Sequence, residues 1–357
     1  MIKKDKSLVL YIVETNDNAQ FRYQVKNVEE VVKNSKNYEV IWFLKSEIAE
    51  AKKYLNRISL VVVGRQTAKD DVVLDFIEEV QKKGKKVIFD LDDLVFDYKD
   101  LSVLMGSINS KNVFYWIGYF WGIRRIAKRV DGFLCTNGFL GEKLKKSFNK
   151  PYEVVSNSLN KEQVSDSEEL IKKKKFGGGF LIGYFSGSPT HKKDFGMIEA
   201  ELIKFLNDHD EAILRVVGYM NFSDEMKVLI KKGRVQVVKF INYLKLQELI
   251  SEVDVNIAPL VINDFTNCKS ELKFFEAGVV ETTTIASPTY TFKKAIKDGE
   301  NGFLAQPGEW YDKLEYLYKH PEENKKIAKN AREYVLKRYY GKEFLKEVEK
   351  AYDYFTK

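Results

Sequence analysis

Residues Lys172–Phe185 read KKKKFGGGFLIGYF and divide this sequence into two halves. Four lysines followed by three glycines are typical of an exposed connection, whereas the apolar run Phe180–Phe185 is typical of a buried strand. On both sides, short apolar runs alternate with amphipathic stretches. We therefore predict a domain linker within Asn157–Gly179, although a surface helix followed by a turn within one domain would also fit.

The apolar runs predict two parallel sheets covered by helices on both faces. The predicted strands are Leu8–Val13, Val40–Phe43, Leu60–Val63, Lys86–Phe89, Gly132–Cys135, Glu153–Val155, Phe180–Phe185, Ile213–Val217, Val235–Phe240, Val255–Ala258 and Thr284–Ala286. The predicted helices are Val72–Lys83, Leu140–Ser147, Phe195–Asn207, Leu244–Glu252, Leu272–Val279, Tyr311–Lys319 and Glu322–Phe355, the last broken near Tyr339–Gly341. We predict an α/β protein with two Rossmann-like domains facing across a cleft, where ligands bind.

Length and composition restrict the class of protein. A chain of 357 residues is too long for one hydrophobic core, and its net charge of +7 suits phosphate-bearing substrates or an anionic membrane surface. This modest charge does not indicate nucleic-acid binding. Cys135 and Cys268 form no CxxC, so neither a disulfide framework nor a zinc site is implied. No apolar stretch is long enough to span a bilayer or to form a signal peptide, which predicts a cytoplasmic protein with membrane contact left open.

The most informative segment is Asn267–Gly278, NCKSELKFFEAG. Ser270 is a plausible N-cap for a helix, and a free helix N-terminus attracts phosphate. Lys269 and Lys273 add positive charge at this turn. Glu276 lies three residues after Lys273 on the same helix face and could bind both hydroxyls of a ribose. A solvated Lys–Glu pair on an amphipathic helix would fit the same spacing.

A second candidate phosphate site follows the strand Phe180–Phe185. Small residues after a strand let backbone N–H groups approach a phosphate closely, and here they include Gly187 and Ser188. The segment has no GxGxxG, so it is not a dinucleotide fingerprint.

Charged residues also follow the strands of the N-terminal half. Asp90, Asp92 and Asp93 come after the strand Lys86–Phe89, and clustered carboxylates in this position could hold a divalent metal ion together with phosphate groups. A solvated loop that caps the next helix is the alternative. Arg22, after the first strand, could face a phosphate or an acidic acceptor.

Residues 113–130 combine aromatic side chains with four basic ones. Trp and Tyr favour bilayer interfaces and Arg and Lys favour anionic headgroups, so this stretch is a candidate membrane or lipid-acceptor surface. An aromatic helix buried against the sheet is the alternative.

The sequence resembles the GT-B glycosyltransferases of family 4, within the glycosyl transferases group 1. Many members carry a Glu, seven residues, a second Glu, an apolar strand with a small-Pro pair and a DGxNGxL turn. Here Glu276 matches the second Glu, Thr284–Pro288 the strand and Asp298–Leu304 the turn. The first Glu, which usually lies near the transferred sugar, is replaced by Cys268. This departure leaves open whether activity is lost or only altered.

The resemblance implies roles for particular residues. The diphosphate would contact backbone amides near Leu272 and Lys273. The ribose would bind Glu276, and the base would lie against the loop at Tyr243. A basic residue after the glycine loop would also face the diphosphate. The candidates are His191, Lys192 and Lys193. Asp92 or Asp93 would orient or deprotonate an acceptor hydroxyl, and Lys273 would stabilise the departing diphosphate.

We therefore predict a metal-independent, retaining glycosyltransferase with a nucleotide diphosphate-sugar as co-substrate and no bound cofactor. The domains would span residues 1–165 (acceptor) and 176–340 (donor), with residues 341–357 as a helix returning to the N-terminal domain. The acceptor could be a polysaccharide, a lipid-linked precursor, a teichoic-type polymer or a protein-linked glycan. The alternatives are a non-catalytic partner subunit, a nucleotide-sugar epimerase, or a phosphorylase-like enzyme, for which no pyridoxal-lysine motif is visible.

Overall fold

The structure is a computed structural model that describes residues 6–108, 110–174, 179–186, 192–218, 220–239 and 242–357. Its strands form two six-stranded sheets, one in each half of the chain, with all neighbouring strands parallel. The predicted fold class is therefore confirmed. Within these described ranges, no helix is long and apolar enough to cross a membrane.

The strands of the first sheet are Ser7–Val13 (β1), Tyr38–Leu44 (β2), Ile58–Gly64 (β3), Lys86–Leu91 (β4), Gly132–Cys135 (β5) and Tyr152–Val154 (β6). Those of the second are Phe180–Phe185 (β7), Ala212–Val217 (β8), Val235–Val238 (β9), Val255–Ala258 (β10), Thr283–Ala286 (β11) and Phe303–Leu304 (β12). The orders are β2-β1-β3-β4-β5-β6 and β12-β11-β10-β7-β8-β9. Each order reverses once, between β1 and β3 and between β7 and β10, and ligands bind at the carboxyl ends of such strands.

The helices of the N-terminal half are Ala19–Phe21 (α1), Asn27–Val32 (α2), Ile48–Ala51 (α3), Val72–Lys82 (α4), Leu101–Ser107 (α5), Val113–Arg129 (α6), Gly138–Phe148 (α7) and Lys161–Lys173 (α8). A π-helical turn, Arg22–Lys26, joins α1 to α2. The remaining helices are Lys192–Gly196 (α9), Glu199–Asp208 (α10), Asp224–Lys231 (α11), Tyr243–Ser251 (α12), Asp264–Asn267 (α13), Leu272–Gly278 (α14), Tyr290–Ala295 (α15), Trp310–Lys319 (α16), Pro321–Tyr339 (α17) and Gly341–Thr356 (α18).

Burial explains why the strands form parallel sheets. All of β1 after its first residue is buried, as is all of β10. Helix α4 presents buried residues at i, i+3, i+4 and i+7, which places them on one face against the first sheet. They are Val73, Phe76, Ile77 and Val80.

The final helical pattern breaks where it was predicted to break. Gly341 has a φ of +65°, a conformation that glycine adopts without strain, and it separates α17 from α18. Helix α17 packs on α14, whereas α18 packs on the first sheet, where Tyr352 hydrogen-bonds Tyr11 at 2.9 Å between hydroxyl oxygens. The domain limits themselves stay predictions.

Two sequence predictions differ from the structure. The stretch predicted as one helix, Phe195–Asn207, is divided between α9 and α10. The segment predicted as a linker contains α8, which begins with a capping box in which Asn160 and Gln163 satisfy each other's backbone N–H groups. A helix therefore lies within the predicted linker, and the division into domains at this segment stays a prediction.

Candidate active site

The start of α14 lies close to the point where the order of the second sheet reverses. Its N-cap is Glu271 and not Ser270, so that detail of the prediction was wrong. The Glu271 carboxylate accepts a hydrogen bond from the Tyr339 hydroxyl at 2.6 Å, and the Ser270 hydroxyl accepts one from Asn157 Nδ2 at 2.9 Å. In the part of the chain that the structure describes, the N–H groups of Leu272 and Lys273 have no acceptor.

The ammonium group of Lys273 is buried beside this helix start. It has no hydrogen-bond partner among the described residues, and its Nζ lies 4.7 Å from the centre of the Tyr184 ring on β7. Burial lowers the pKa of Lys273 to about 8, although the charges of Asp194 and Glu276 oppose this shift. An unpaired buried cation is costly, so this position favours an anionic ligand.

Glu276 faces the same space one helical turn later. Its Oε1 accepts a hydrogen bond from the hydroxyl of Tyr23, in the π-helical turn of the N-terminal half. Arg22 Nη2 in turn donates to the Tyr23 hydroxyl at 3.0 Å. Burial raises the pKa of Glu276, while the Tyr23 hydrogen bond and the Arg22 charge oppose the rise.

Tyr243 belongs to this cluster, but the structure gives it a partner that the sequence did not indicate. The Arg22 guanidinium carbon lies 4.0 Å from the centre of the Tyr243 ring, and the Tyr243 hydroxyl donates to Glu162 Oε2 at 2.6 Å. The structure therefore brings together three residues that the sequence singled out separately. They are Arg22, Tyr243 and Glu276.

The predicted acceptor carboxylates are held in ion pairs. Asp93 accepts from Arg65 Nη1 and from Lys269 Nζ, each at 2.6 Å, so it joins the two halves of the chain. Arg65 Nε lies 3.0 Å from Asp92 Oδ1, without hydrogen-bond geometry. Burial raises the pKa of Asp92, whereas Lys269 and Arg65 together outweigh burial at Asp93 and lower its pKa. Lys269 is thus paired with Asp93 in this structure, and its contact with a diphosphate stays a prediction.

Asp90 lies within β4, and Asp92 and Asp93 follow its end. Within the described ranges, no group of three or more His, Cys, Asp or Glu side chains is placed to hold a metal ion. Burial and the charge of Asp92 raise the pKa of Asp90 well above its usual value.

Cys268 is buried where the resemblance places the first Glu. Together with Phe265 it packs in the hydrophobic core of the N-terminal half. Its carbonyl oxygen accepts a hydrogen bond from Asn137 Nδ2 at 2.8 Å. Burial raises the pKa of the thiol. Cys268 therefore anchors the loop between α13 and α14 to the N-terminal half and supplies no carboxylate to a sugar.

Three predicted residues, Gly187, Ser188 and His191, are outside the residues that the structure describes. Lys192 begins α9, and Lys193 is exposed on the same helix.

Two residues of the candidate site were not predicted from the sequence. Tyr23 directly follows Arg22, and Arg65 directly follows β3. The position of Arg65 at the carboxyl end of a strand was a usable signal, because such positions line ligand clefts.

A cavity of about 260 Å³ lies at the carboxyl ends of β1 and β3. Its polar lining includes Asn18, Gln20, Gln24, Arg65 and Tyr119. A larger cavity of about 460 Å³ lies beside the start of β7, at the amino ends of the strands of the second sheet. Parallel sheets bind their ligands at the carboxyl ends of the strands and not at this edge.

Comparison with known proteins gives the family of the second half. Residues 166–334, just under half of the chain, match the family described as glycosyl transferases group 1. The chain has the GT-B fold, and its residues 166–334 are similar to glycosyl transferases group 1. The matched region contains β7 to β12 with Tyr243, Lys273 and Glu276, whereas Arg22 and Tyr23 of the same cluster lie in the N-terminal half. A comparison with curated protein sequences finds no significant match.

Solved structures support the same fold over nearly the whole chain. A glycosyltransferase from Rickettsia africae has a TM-score of 0.67 at 14% identity, covering 99% of this chain and 100% of that one. Anabaena Alr3699/HepE in complex with UDP has a TM-score of 0.62 at 15% identity, covering 98% and 100%. Sucrose-phosphate synthase from Thermosynechococcus elongatus has a TM-score of 0.64 at 13% identity, covering 98% and 99%. At these identities the comparisons show that the chain shares its fold with these proteins. The narrower resemblance to family 4 stays a prediction.

Proposed function

We propose that this chain transfers a sugar from a nucleotide diphosphate-sugar to a glycan acceptor, with retention of anomeric configuration. The observation that carries the proposal is the buried ammonium group of Lys273, which has no partner among the described residues and lies beside two free backbone N–H groups. A diphosphate would satisfy all three donors. Anabaena Alr3699/HepE, which shares the fold, is described in complex with UDP and with UDP-glucose.

Positioned positive charge would then assist the chemical step. Negative charge develops on the diphosphate as its bond to the sugar breaks, and Lys273 with the amides of Leu272 and Lys273 would stabilise it. The ribose hydroxyls would bind Glu276 in place of the Tyr23 hydroxyl, which now donates to it. Donor binding therefore requires Tyr23 to move.

The acceptor would bind on the N-terminal side of the cleft. Lys269 and Arg65 lower the pKa of Asp93, whereas burial raises the pKa of Asp92, so the Asp92 carboxylate is the stronger base of the two. We assign Asp92 to orient the acceptor hydroxyl or take up its proton, and Asp93 to hold Arg65 and Lys269 in place. No metal ion is needed for these roles.

A thermal-shift screen against UDP-, GDP- and dTDP-sugars tests the donor assignment. At a hundredfold excess over Kd, a ligand that binds only the folded state adds about 2.7 kcal/mol to its stability, so one nucleotide series should raise Tm. The variant Lys273→Met should lose this shift, whereas the surface variant Lys346→Met should keep it. No shift with any donor, or equal shifts in both variants, would refute the assignment.

A non-catalytic partner subunit is the second candidate, favoured by Cys268 at the position of the usual Glu. Such a subunit would bind a nucleotide-sugar without transferring or hydrolysing it across a broad acceptor panel. Turnover with any acceptor would exclude it. For either function we propose a cytoplasmic location, at the inner face of a membrane.

A further inference from the structure

Helix α6 presents a row of exposed apolar side chains. One face of the helix packs in the core of the N-terminal half through Phe120, Ile123 and Ile126. On the other face, Phe114 is 89% exposed and Trp121 51%, with Ile117 between them. The spacing i, i+3, i+7 places these three side chains in one row. Large apolar groups exposed together mark a surface that binds a partner.

Basic side chains extend this row at both ends. Lys111 precedes the helix, and Lys128 follows Trp121 by seven residues, which returns it to the same face. Both lysines are exposed, and neither forms an ion pair with any residue that the structure describes. The Arg125 guanidinium carbon lies 4.7 Å from the centre of the Trp121 ring. We call Lys111, Phe114, Ile117, Trp121 and Lys128 the α6 row.

We propose that the α6 row lies in the interface of an anionic bilayer and that the acceptor of the proposed reaction is a lipid-linked glycan held in that bilayer. Aromatic side chains at headgroup depth and lysines paired with lipid phosphates are the chemistry of an interfacial helix. A helix of 17 residues is about 25 Å long, so it can lie along the membrane surface without crossing it.

The other side of α6 connects the bilayer to the cavity at the ends of β1 and β3. The rings of Tyr115 and Tyr119 stack with their centres 6.1 Å apart, so aromatic contact runs from the exposed surface inward. Tyr119 lines the cavity with Gln24, whose Nε2 is buried without a hydrogen-bond partner among the described residues. Amide and guanidinium donors suit the hydroxyl groups of a sugar. A glycan could reach this cavity while its lipid stays in the membrane.

Vesicle sedimentation tests the surface directly. The full chain should sediment with equimolar phosphatidylcholine–phosphatidylglycerol vesicles and much less with phosphatidylcholine alone. The double variant Phe114→Ser/Trp121→Ser should bind the anionic vesicles at least about tenfold more weakly, because two large apolar groups no longer enter the interface. A matched double variant, Val228→Ser/Tyr354→Ser, changes residues that are 50% and 54% exposed elsewhere and should bind as the parent does.

Circular dichroism must show that both double variants remain folded, which their exposed positions favour. Equal vesicle binding by the parent and the α6 variant would overturn the proposal. A dimer of the parent that the α6 variant disrupts would also overturn it, because the row would then bind a second copy of this chain.

The acceptor claim rests on the proposed function and has its own readout. The α6 variant should transfer sugar more slowly to a lipid-linked acceptor in vesicles but at the parental rate to a water-soluble form of that acceptor. Equal slowing with both acceptors would refute the acceptor claim. Nucleotide-sugar binding by thermal shift is independent of membranes, so its failure would instead refute the glycosyltransferase assignment.

Discussion

The lowered pKa of Lys273 predicts that donor binding depends on pH. With a pKa of about 8, the ammonium group is about 90% charged at pH 7 and about 10% charged at pH 9. A diphosphate binds the charged form, so the affinity for a nucleotide-sugar should fall about tenfold between these pH values, or ~1.4 kcal/mol. A nucleotide diphosphate-sugar suits the test better than a free diphosphate, because it lacks a terminal phosphate that would itself take up protons near neutral pH.

Calorimetry in buffers of different ionisation enthalpy measures both the affinity and the accompanying proton uptake. Proton uptake should rise from about 0.1 per site at pH 7 towards about 0.9 at pH 9, and the variant Lys273→Met should show neither this uptake nor the pH dependence. A donor affinity that is constant from pH 7 to pH 9 in the parent would refute the assigned role of Lys273.

The variant Lys273→Met also distinguishes a role of the ammonium group in donor binding from a role in stability. The unfolded chain keeps the ordinary lysine pKa of 10.5, so the charged form of Lys273 opposes folding below pH 8, and this cost disappears as pH rises towards 10.5. Replacing Lys273 by Met should therefore raise the free energy of unfolding at pH 7 by at most about 3 kcal/mol, while donor binding is lost. A variant that is destabilised would show that the ammonium group has a structural role.

Four further perturbations test the remaining assignments. Glu276→Ala should weaken nucleotide-sugar binding about tenfold or more by calorimetry, since a hydrogen-bonded carboxylate is lost, and unchanged affinity would remove Glu276 from the site. Tyr23→Phe should tighten binding by about threefold to tenfold, because the hydroxyl no longer competes for Glu276, and equal or weaker binding would contradict this competition. Asp93→Asn should lower the free energy of unfolding in urea by about 2–4 kcal/mol, because Arg65 and Lys269 lose their charged partner, and an unchanged value would show that the pairs are weak. Transfer activity should survive EDTA. A loss of activity that magnesium restores would instead support a metal ion bound by the carboxylates of the N-terminal half.

The alternation of apolar runs was sufficient to predict the fold. The strand Gly132–Cys135, for example, is buried on both faces, so its sequence is apolar throughout and easily recognised. The short strand β12 was missed because two residues give no periodicity. The division between α9 and α10 was missed because the apolar pattern continues through it.

The candidate site was only partly predictable, because long-range contacts decide it. The local pattern around Lys273 and Glu276 indicated the helix, but the burial of the Lys273 ammonium group beside Tyr184 of β7 depends on tertiary packing. The same sequence could not show that Tyr23 reaches Glu276, 253 positions away, or that Lys269 is bound to Asp93. Cys268 could be identified as a departure from the family pattern, yet its place in the N-terminal core depends on how the domains meet.

The most direct test is the crystal structure of this chain with the nucleotide-sugar that gives the largest thermal shift. We expect diphosphate oxygens within hydrogen-bond distance of Lys273 Nζ and of the Leu272 N–H group. The ribose should bind Glu276, with the Tyr23 hydroxyl displaced. A nucleotide bound away from Lys273, with Tyr23 still donating to Glu276, would contradict this expectation.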